Sequence, residues 1–164
     1  MIKNFIVKFL ASCGFVGHIP IASGTFGTMI GIGLVWILHQ FIDITQFEGK
    51  IWYAAITILL IIASIPVSTA AEKLYNEKDP SEVVIDEAVS FFVTVFWLPL
   101  SPLTVIAGFF LNRIFDIIKI EPARWCQNNL PSGRGVVLDD IVAGVYSHIC
   151  LRLIIFLTVG SFFS

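Results

Sequence analysis

Four stretches of this chain, residues 28–44, 51–67, 88–111 and 141–163, are built almost wholly from apolar side chains. A backbone placed in hydrocarbon must satisfy its own hydrogen bonds, so stretches of this kind are expected to be helices packed as a bundle. A bilayer span takes about 20 apolar residues, which leaves the first two only marginally long. The remainder offers little for water to hold: 13% of the residues are charged and the mean hydropathy is +0.89, against about 25% charged in soluble domains. The expected class is therefore all-α, a small polytopic membrane helical bundle. Residues 1–164 read as one domain, because no Pro/Gly/Ser-rich linker, repeat or low-complexity tract divides them.

The third stretch decides the topology, because Pro99-Leu100-Ser101-Pro102 interrupts it. Its halves, 88–98 and 103–111, are each too short to cross a ~30 Å core at about 1.5 Å per residue. It is either one proline-kinked span or a re-entrant helical hairpin whose turn is buried in protein. The hairpin would gather Lys3, Lys8, Lys73, Lys78, Arg113, Lys119, Arg124 and Arg134 on one side, with Lys50 on the other and Arg152 unassigned. By the positive-inside rule the shared side is cytoplasmic. Leu10-Ala11-Ser12-Cys13 looks like a lipoprotein cleavage site, but Lys8 leaves only about four apolar residues before it, too few for a signal sequence. Cys13, Cys126 and Cys150 form no Cys-x-x-Cys pair and are expected to be small buried side chains.

The hairpin would also collect Asp86, Glu87, Asp116, Asp139 and Asp140 on that side. Acidic residues often begin helices, where they complement the macrodipole. Asp79-Pro80-Ser81-Glu82 already reads as an N-cap, a proline at N1 and a glutamate at N3. On that reading Asp86 and Glu87 lie nearly two turns inside their helix and need another explanation. For Asp139 and Asp140, ahead of Ile141-Val142-Ala143, a helix start stays open. Arg113, Asp116 and Lys119 fall at spacings of three, on neighbouring parts of one helical face, either as an exposed ion-paired face or as part of a site. Carboxylate oxygens are hard ligands suited to Mg²⁺ or Mn²⁺, and the basic residues suit phosphate.

One glycine-rich segment, Gly17 to Thr28, precedes the first apolar stretch. Its backbone N–H groups are suited to an anion, although a plain helix-leading loop reads equally well, and no lysine follows in the order of a Walker A loop. His18 is expected to be a loop hydrogen-bonder, and His39 and His148 sit in apolar surroundings.

Together these segments resemble phosphatidylglycerophosphatase A, the bacterial membrane lipid phosphatase family. Ala22-Ser23-Gly24-Thr25-Phe26-Gly27-Thr28 is similar to its Pro-Gly-Thr-x-Gly-Ser motif. Asp79-Pro80-Ser81-Glu82-Val83-Val84-Ile85-Asp86-Glu87 resembles its Asp-Pro-x-x-Ile-Val-x-Asp-Glu segment. The runs from Arg113 to Lys119 and from Gly133 to Gly144 resemble the rest, in order, across residues 14–150. The chain departs from the pattern at Ser23, where proline is usual, at Lys119-Ile120-Glu121-Pro122, which lacks one proline, and at Arg134.

The resemblance implies Mg²⁺-dependent hydrolysis of phosphatidylglycerophosphate to phosphatidylglycerol and phosphate, at the cytoplasmic face of a bacterial inner membrane. Asp86, Glu87, Asp116, Asp139 and Asp140 would hold Mg²⁺ or act on the phosphate. Arg113 and Lys119 would balance its charge, with Gly24, Thr25 and Gly27 supplying loop donors. The partners expected are that lipid and the surrounding membrane lipids, with no nucleic acid.

Other readings fit the residues less well. Cys126 and Arg134 are eight positions apart, not the six of a cysteine phosphatase. Pro131-Ser132-Gly133-Arg134 is similar to one motif of the histidine-dependent lipid phosphatases, but their histidine machinery is missing. A CDP-alcohol phosphatidyltransferase would share Ala123-Arg124 and Gly133, but it needs an earlier Asp-Gly and two aspartates four apart. A small transporter would place ionisable groups inside its spans, where only His148 and Arg152 qualify, and a non-catalytic assembly subunit would tolerate Asp86→Asn or Asp140→Asn with little loss.

Overall fold

A computed structural model describes residues 2–159, and every regular element within them is a helix. The helices are α1 (Ile2–Ala11), α2 (Ser23–Phe41), α3 (Phe47–Tyr75), α4 (Ile85–Thr94), α5 (Pro102–Ile118), α6 (Ala123–Asn129) and α7 (Gly133–Val159). The end of the fourth apolar stretch, residues 160–163, lies outside the described residues. Among the described residues, α2, α3 and α7 are long and apolar enough to cross a membrane. The 29 residues of α3 exceed what a ~30 Å core requires, so the stretch that looked marginal is extended by polar turns at both ends.

The bundle is packed as a membrane protein is packed. Large apolar side chains such as Trp36, Ile58, Leu59, Ile62, Leu153 and Leu157 face outward, while Thr28, Thr57, Ser64, Ser68, Thr94 and Ser147 are buried between helices. In lipid, association gains little from hiding apolar surface, and small residues let backbones approach closely. Several buried hydroxyls return their hydrogen bond to their own helix, as Thr57 does to the Tyr53 carbonyl at 2.8 Å and Ser147 to that of Ala143 at 2.8 Å. A compact apolar cluster of Val35, Tyr53, Phe91, Phe92, Val95, Leu98 and Leu151 ties α2, α3, α4 and α7 together.

The proline-interrupted stretch is a hairpin. Glu87 on α4 lies near Arg113 on α5, Ser90 and Thr94 bond Asn112, and Thr94 packs against Gly108. As the number rises on one helix it falls on the other, so the two run antiparallel. Ser101 caps α5 by accepting the Thr104 N–H at 3.1 Å, with Pro102 at the start of the helix. The turn is held by protein: Val95 and Leu98 are buried, and the Trp97 indole donates to the Lys50 carbonyl at 3.0 Å. Lys50 therefore lies at the end of the bundle reached by the hairpin turn, away from the helix ends that carry the carboxylates.

Candidate active site

Two helix boundaries differ from the sequence reading, and they exchange its arguments. Asp79 does not cap α4. Its φ of 54° is left-handed, whereas an N-cap residue needs extended backbone. The helix begins at Ile85 instead, which puts Asp86 and Glu87 in its first turn. There the macrodipole favours negative charge, and the Glu87 N–H donates to Asp86 Oδ1 at 3.1 Å. Conversely, α7 begins at Gly133, so Asp139 and Asp140 are nearly two turns inside it and are not helix-start residues.

The glycine segment also differs. Helix α2 starts at Ser23, so Gly24, Thr25 and Gly27 belong to a helix rather than a loop. The Thr25 N–H is bonded to the Ala22 carbonyl at 2.9 Å. A Cβ on Gly27 would come within 2.8 Å of the Val84 side chain and carbonyl, and one on Gly24 within 2.3 Å of Glu87 Oε1. These glycines admit α4 to contact with α2.

With the helices so placed, the five carboxylates, Arg113, Lys119 and Gly24 line one cavity of about 430 Å³. Thr25 and Gly27 stand outside its lining. Oxygens of Asp86, Glu87 and Asp140 lie within 4.8 Å of one another. The other two acids are matched with cations. Arg113 pairs with Asp116 at 2.9 Å and approaches Glu87 at 3.9 Å, while Lys119 bonds Asp139 at 2.6 Å and approaches Asp79 at 3.8 Å. Lys119 is positioned by its backbone: at φ 48° it ends α5 in the left-handed region, and its N–H closes on the Phe115 carbonyl at 2.9 Å.

Burial, reinforced by repulsion from its neighbours, pushes the Asp86 carboxyl well above its ordinary range. Glu87 moves the same way, chiefly by burial, with Asp116 adding to the shift and the Asp86 hydrogen bond and Arg113 opposing it. For Lys119 burial acts downward, but the hydrogen bond and charge of Asp139 outweigh it and hold the ammonium above its usual value. Glu87 Oε2, Asp139 Oδ1 and Asp140 Oδ2 are buried with no hydrogen-bond partner among the described residues. Uncompensated polar atoms of this kind are costly. Burial likewise pushes the Cys13 thiol up to about 12, in keeping with a small, unreactive side chain.

Sequence reasoning missed four contributors, Asp79, Gln127, Asn112 and Ser90. Asp79 lines the cavity and accepts from Gln127 Nε2 on α6 at 2.6 Å. Asn112, fully buried, donates to Ser90 Oγ at 2.8 Å and Thr94 Oγ1 at 2.6 Å, and Ser90 in turn donates to the Asp140 carbonyl at 2.7 Å. A lone amide ending an apolar run was the readable sign of Asn112. Nothing near Gln127 in the sequence marked it.

Residues 9–155 match the family model described as Phosphatidylglycerophosphatase A. The chain belongs to that family. With it, the chain is an enzyme, a phosphoric monoester hydrolase. Similar proteins include a Bacteroides thetaiotaomicron protein provisionally named a phosphatidylinositol-3-phosphatase, 37% identical over 84% of this chain and 86% of its own length. Phosphatidylglycerophosphatase A of Escherichia coli is 33% identical over 84% of this chain and 77% of its own. Its Haemophilus influenzae counterpart is 32% identical over 85% and 83%. No solved structure is significantly similar.

Proposed function

We propose that this single-domain protein is a Mg²⁺-dependent phosphatidylglycerophosphatase, releasing phosphate from phosphatidylglycerophosphate to leave phosphatidylglycerol, at the cytoplasmic face of a bacterial inner membrane. The observation that carries this is one cavity in which five carboxylates converge with Arg113 and Lys119. The two E. coli and H. influenzae relatives bear the name of that activity.

The donor set fits a hard divalent cation. Asp86, Glu87 and Asp140 offer only oxygen, lie within 4.8 Å of one another, and include two of the buried oxygens without a partner. When bound, Mg²⁺ supplies Lewis acidity toward the phosphoryl oxygens and a more acidic water. Arg113 and Lys119, held on α5 by Asp116 and Asp139, offer donors to the equatorial phosphate oxygens, where charge builds as the ester bond breaks. Asp139, with Oδ1 uncommitted, is placed to take a proton from the attacking water. Asn112 and Ser90 hold the α7 backbone at Asp140, so the acid pair cannot drift from the α4 carboxylates.

The name of the Bacteroides relative makes a phosphoinositide the second reading. Purified protein should therefore be assayed for phosphate release from phosphatidylglycerophosphate and from phosphatidylinositol 3-phosphate, with Mg²⁺ and with EDTA. The proposal expects metal-dependent release, faster from the glycerol lipid. Faster turnover of the phosphoinositide would favour the second reading, and no metal-dependent release from either would overturn both.

A further inference from the structure

The N-terminal helix presents a face that the bundle does not use. Along α1, Ile2, Phe5, Ile6, Phe9 and Leu10 are exposed, Ile2 by 77% and Phe5 by 59%. Their spacing of three, one, three and one makes them a single stripe. The opposite face is packed: Ala11 is buried with Ala71 and Val83, and Val7 lies against them. After the helix, Cys13, Gly14 and Phe15 are all left-handed, with φ of 48°, 75° and 69°. This tight turn returns the Phe15 ring to 5.7 Å from both Phe5 and Phe9, which are themselves 6.4 Å apart. The result is a preformed aromatic cluster that remains 41% exposed at Phe15.

Charge says what covers it. Lys3 and Lys8 are the charged residues of α1 and flank the apolar stripe on either side, with Lys8 resting 5.4 Å above the Tyr75 ring at the end of α3. An apolar stripe bordered by lysines is the pattern of a helix lying in the headgroup region of an anionic leaflet. The packed face of α1 lies against the end of the spanning helix α3, at Ala71 and Tyr75, which leaves the stripe turned outward. The same helix touches the catalytic scaffold: the Ala11 carbonyl accepts the Val84 N–H at 2.9 Å, one residue before α4 and its Asp86 and Glu87.

We propose that α1 and Phe15 form an interfacial anchor. It lays the Phe5, Phe9 and Phe15 rings into the headgroup–acyl boundary of an anionic phospholipid surface and holds the start of α4 at headgroup depth. In this arrangement a lipid headgroup meets the carboxylates without leaving the leaflet.

The test needs no turnover, so its failure is distinct from failure of the phosphatase reading. A bimane probe is attached at Phe5→Cys in a protein whose three native cysteines are replaced, in vesicles of phosphatidylethanolamine with or without phosphatidylglycerol. Glu77→Cys, exposed in the polar turn after α3 and outside the site cavity, serves as the aqueous control. The position-5 probe should emit at shorter wavelength than the control and be quenched several-fold more by a headgroup-depth nitroxide lipid. Lys3→Gln with Lys8→Gln should abolish the extra quenching gained with phosphatidylglycerol. A probe that behaves as in water overturns the anchor, as does equal quenching with and without anionic lipid. Cross-linking between position-5 cysteines of two copies would assign the cluster to a dimer and overturn it equally.

Discussion

Replacing Gly24 by alanine adds one methyl group to α2, and its effect can be worked out from distances. The new Cβ would lie 2.3 Å from Glu87 Oε1 and 2.9 Å from both terminal nitrogens of Arg113, where ordinary contact begins at 3.4 Å. The carboxylate must retreat by about 1.1 Å, out of its cluster with Asp86 and Asp140. Misplacing a catalytic group by ~1 Å costs on the order of 100-fold in rate, or about 2.7 kcal/mol of transition-state stabilisation. Because Glu87 is the flexible end of a side chain, the backbone need not move, and Gly24→Ala should lose about that much kcat/KM while melting close to the parent. Gly33→Ala, in the same helix with nothing within 4 Å of its Cβ, should keep full activity. Phosphate release and thermal denaturation in detergent measure both quantities. In a Glu87→Ala background, Gly24→Ala should add little further loss, since the group it displaces is gone. Full activity in Gly24→Ala, or a purely additive double variant, would refute the reasoning.

Asp86→Asn and Asp140→Asn should each reduce Mg²⁺-stimulated phosphate release at least ~100-fold while the protein still elutes as a folded species; retention of stimulation would remove those residues from the metal site. Lys119→Met leaves the buried Asp139 carboxylate unpaired and should lower stability by roughly 3 kcal/mol. Adding Asp139→Leu should restore the melting temperature without restoring turnover, and failure to restore it would show that the pair is not what Lys119 stabilises. Asp86 and Glu87 are raised above their unfolded values, so the stability they contribute is full below about pH 4 and is lost as pH rises through their folded values. EDTA-treated protein should accordingly melt higher at about pH 5 than at about pH 8, and Mg²⁺ should flatten that slope; an opposite slope without metal would contradict the burial argument. A substrate analogue made chiral at phosphorus should be hydrolysed with inversion, as a single in-line attack by water requires; net retention would show two displacements, with a side-chain carboxylate attacking first.

The broad architecture was legible because it follows from solvent. Long apolar runs with so few charges leave helices as the available form, and Pro99 and Pro102 mark where the third run breaks. Sequence could not choose between kink and hairpin, since that choice rests on contacts such as Asn112 with Ser90 and the Trp97 indole with the Lys50 carbonyl. Local signals misled where tertiary packing prevailed. Asp79-Pro80-Ser81-Glu82 has the residue types of a helix start, yet Asp79 bonds Gln127 and the Val84 N–H bonds Ala11, which delays α4 to Ile85. The glycines at 24 and 27 read equally as anion donors or as a plain helix-leading loop, because their close approach to α4 depends on residues some sixty positions away. The carboxylates could be named from sequence, but not their division into an oxygen cluster of three and two ion-paired acids.

The hairpin also sets a parity. With α2, α3 and α7 as the spanning helices among the described residues and α4–α5 turning back, residues 2–159 would make an odd number of crossings. A reporter enzyme fused ahead of α1 and one fused beyond α7 would therefore work in opposite compartments. Had residues 88–111 run straight through, both would report from the same side, and α7 would meet α4 upside down, with Asp140 directed away from Asp86.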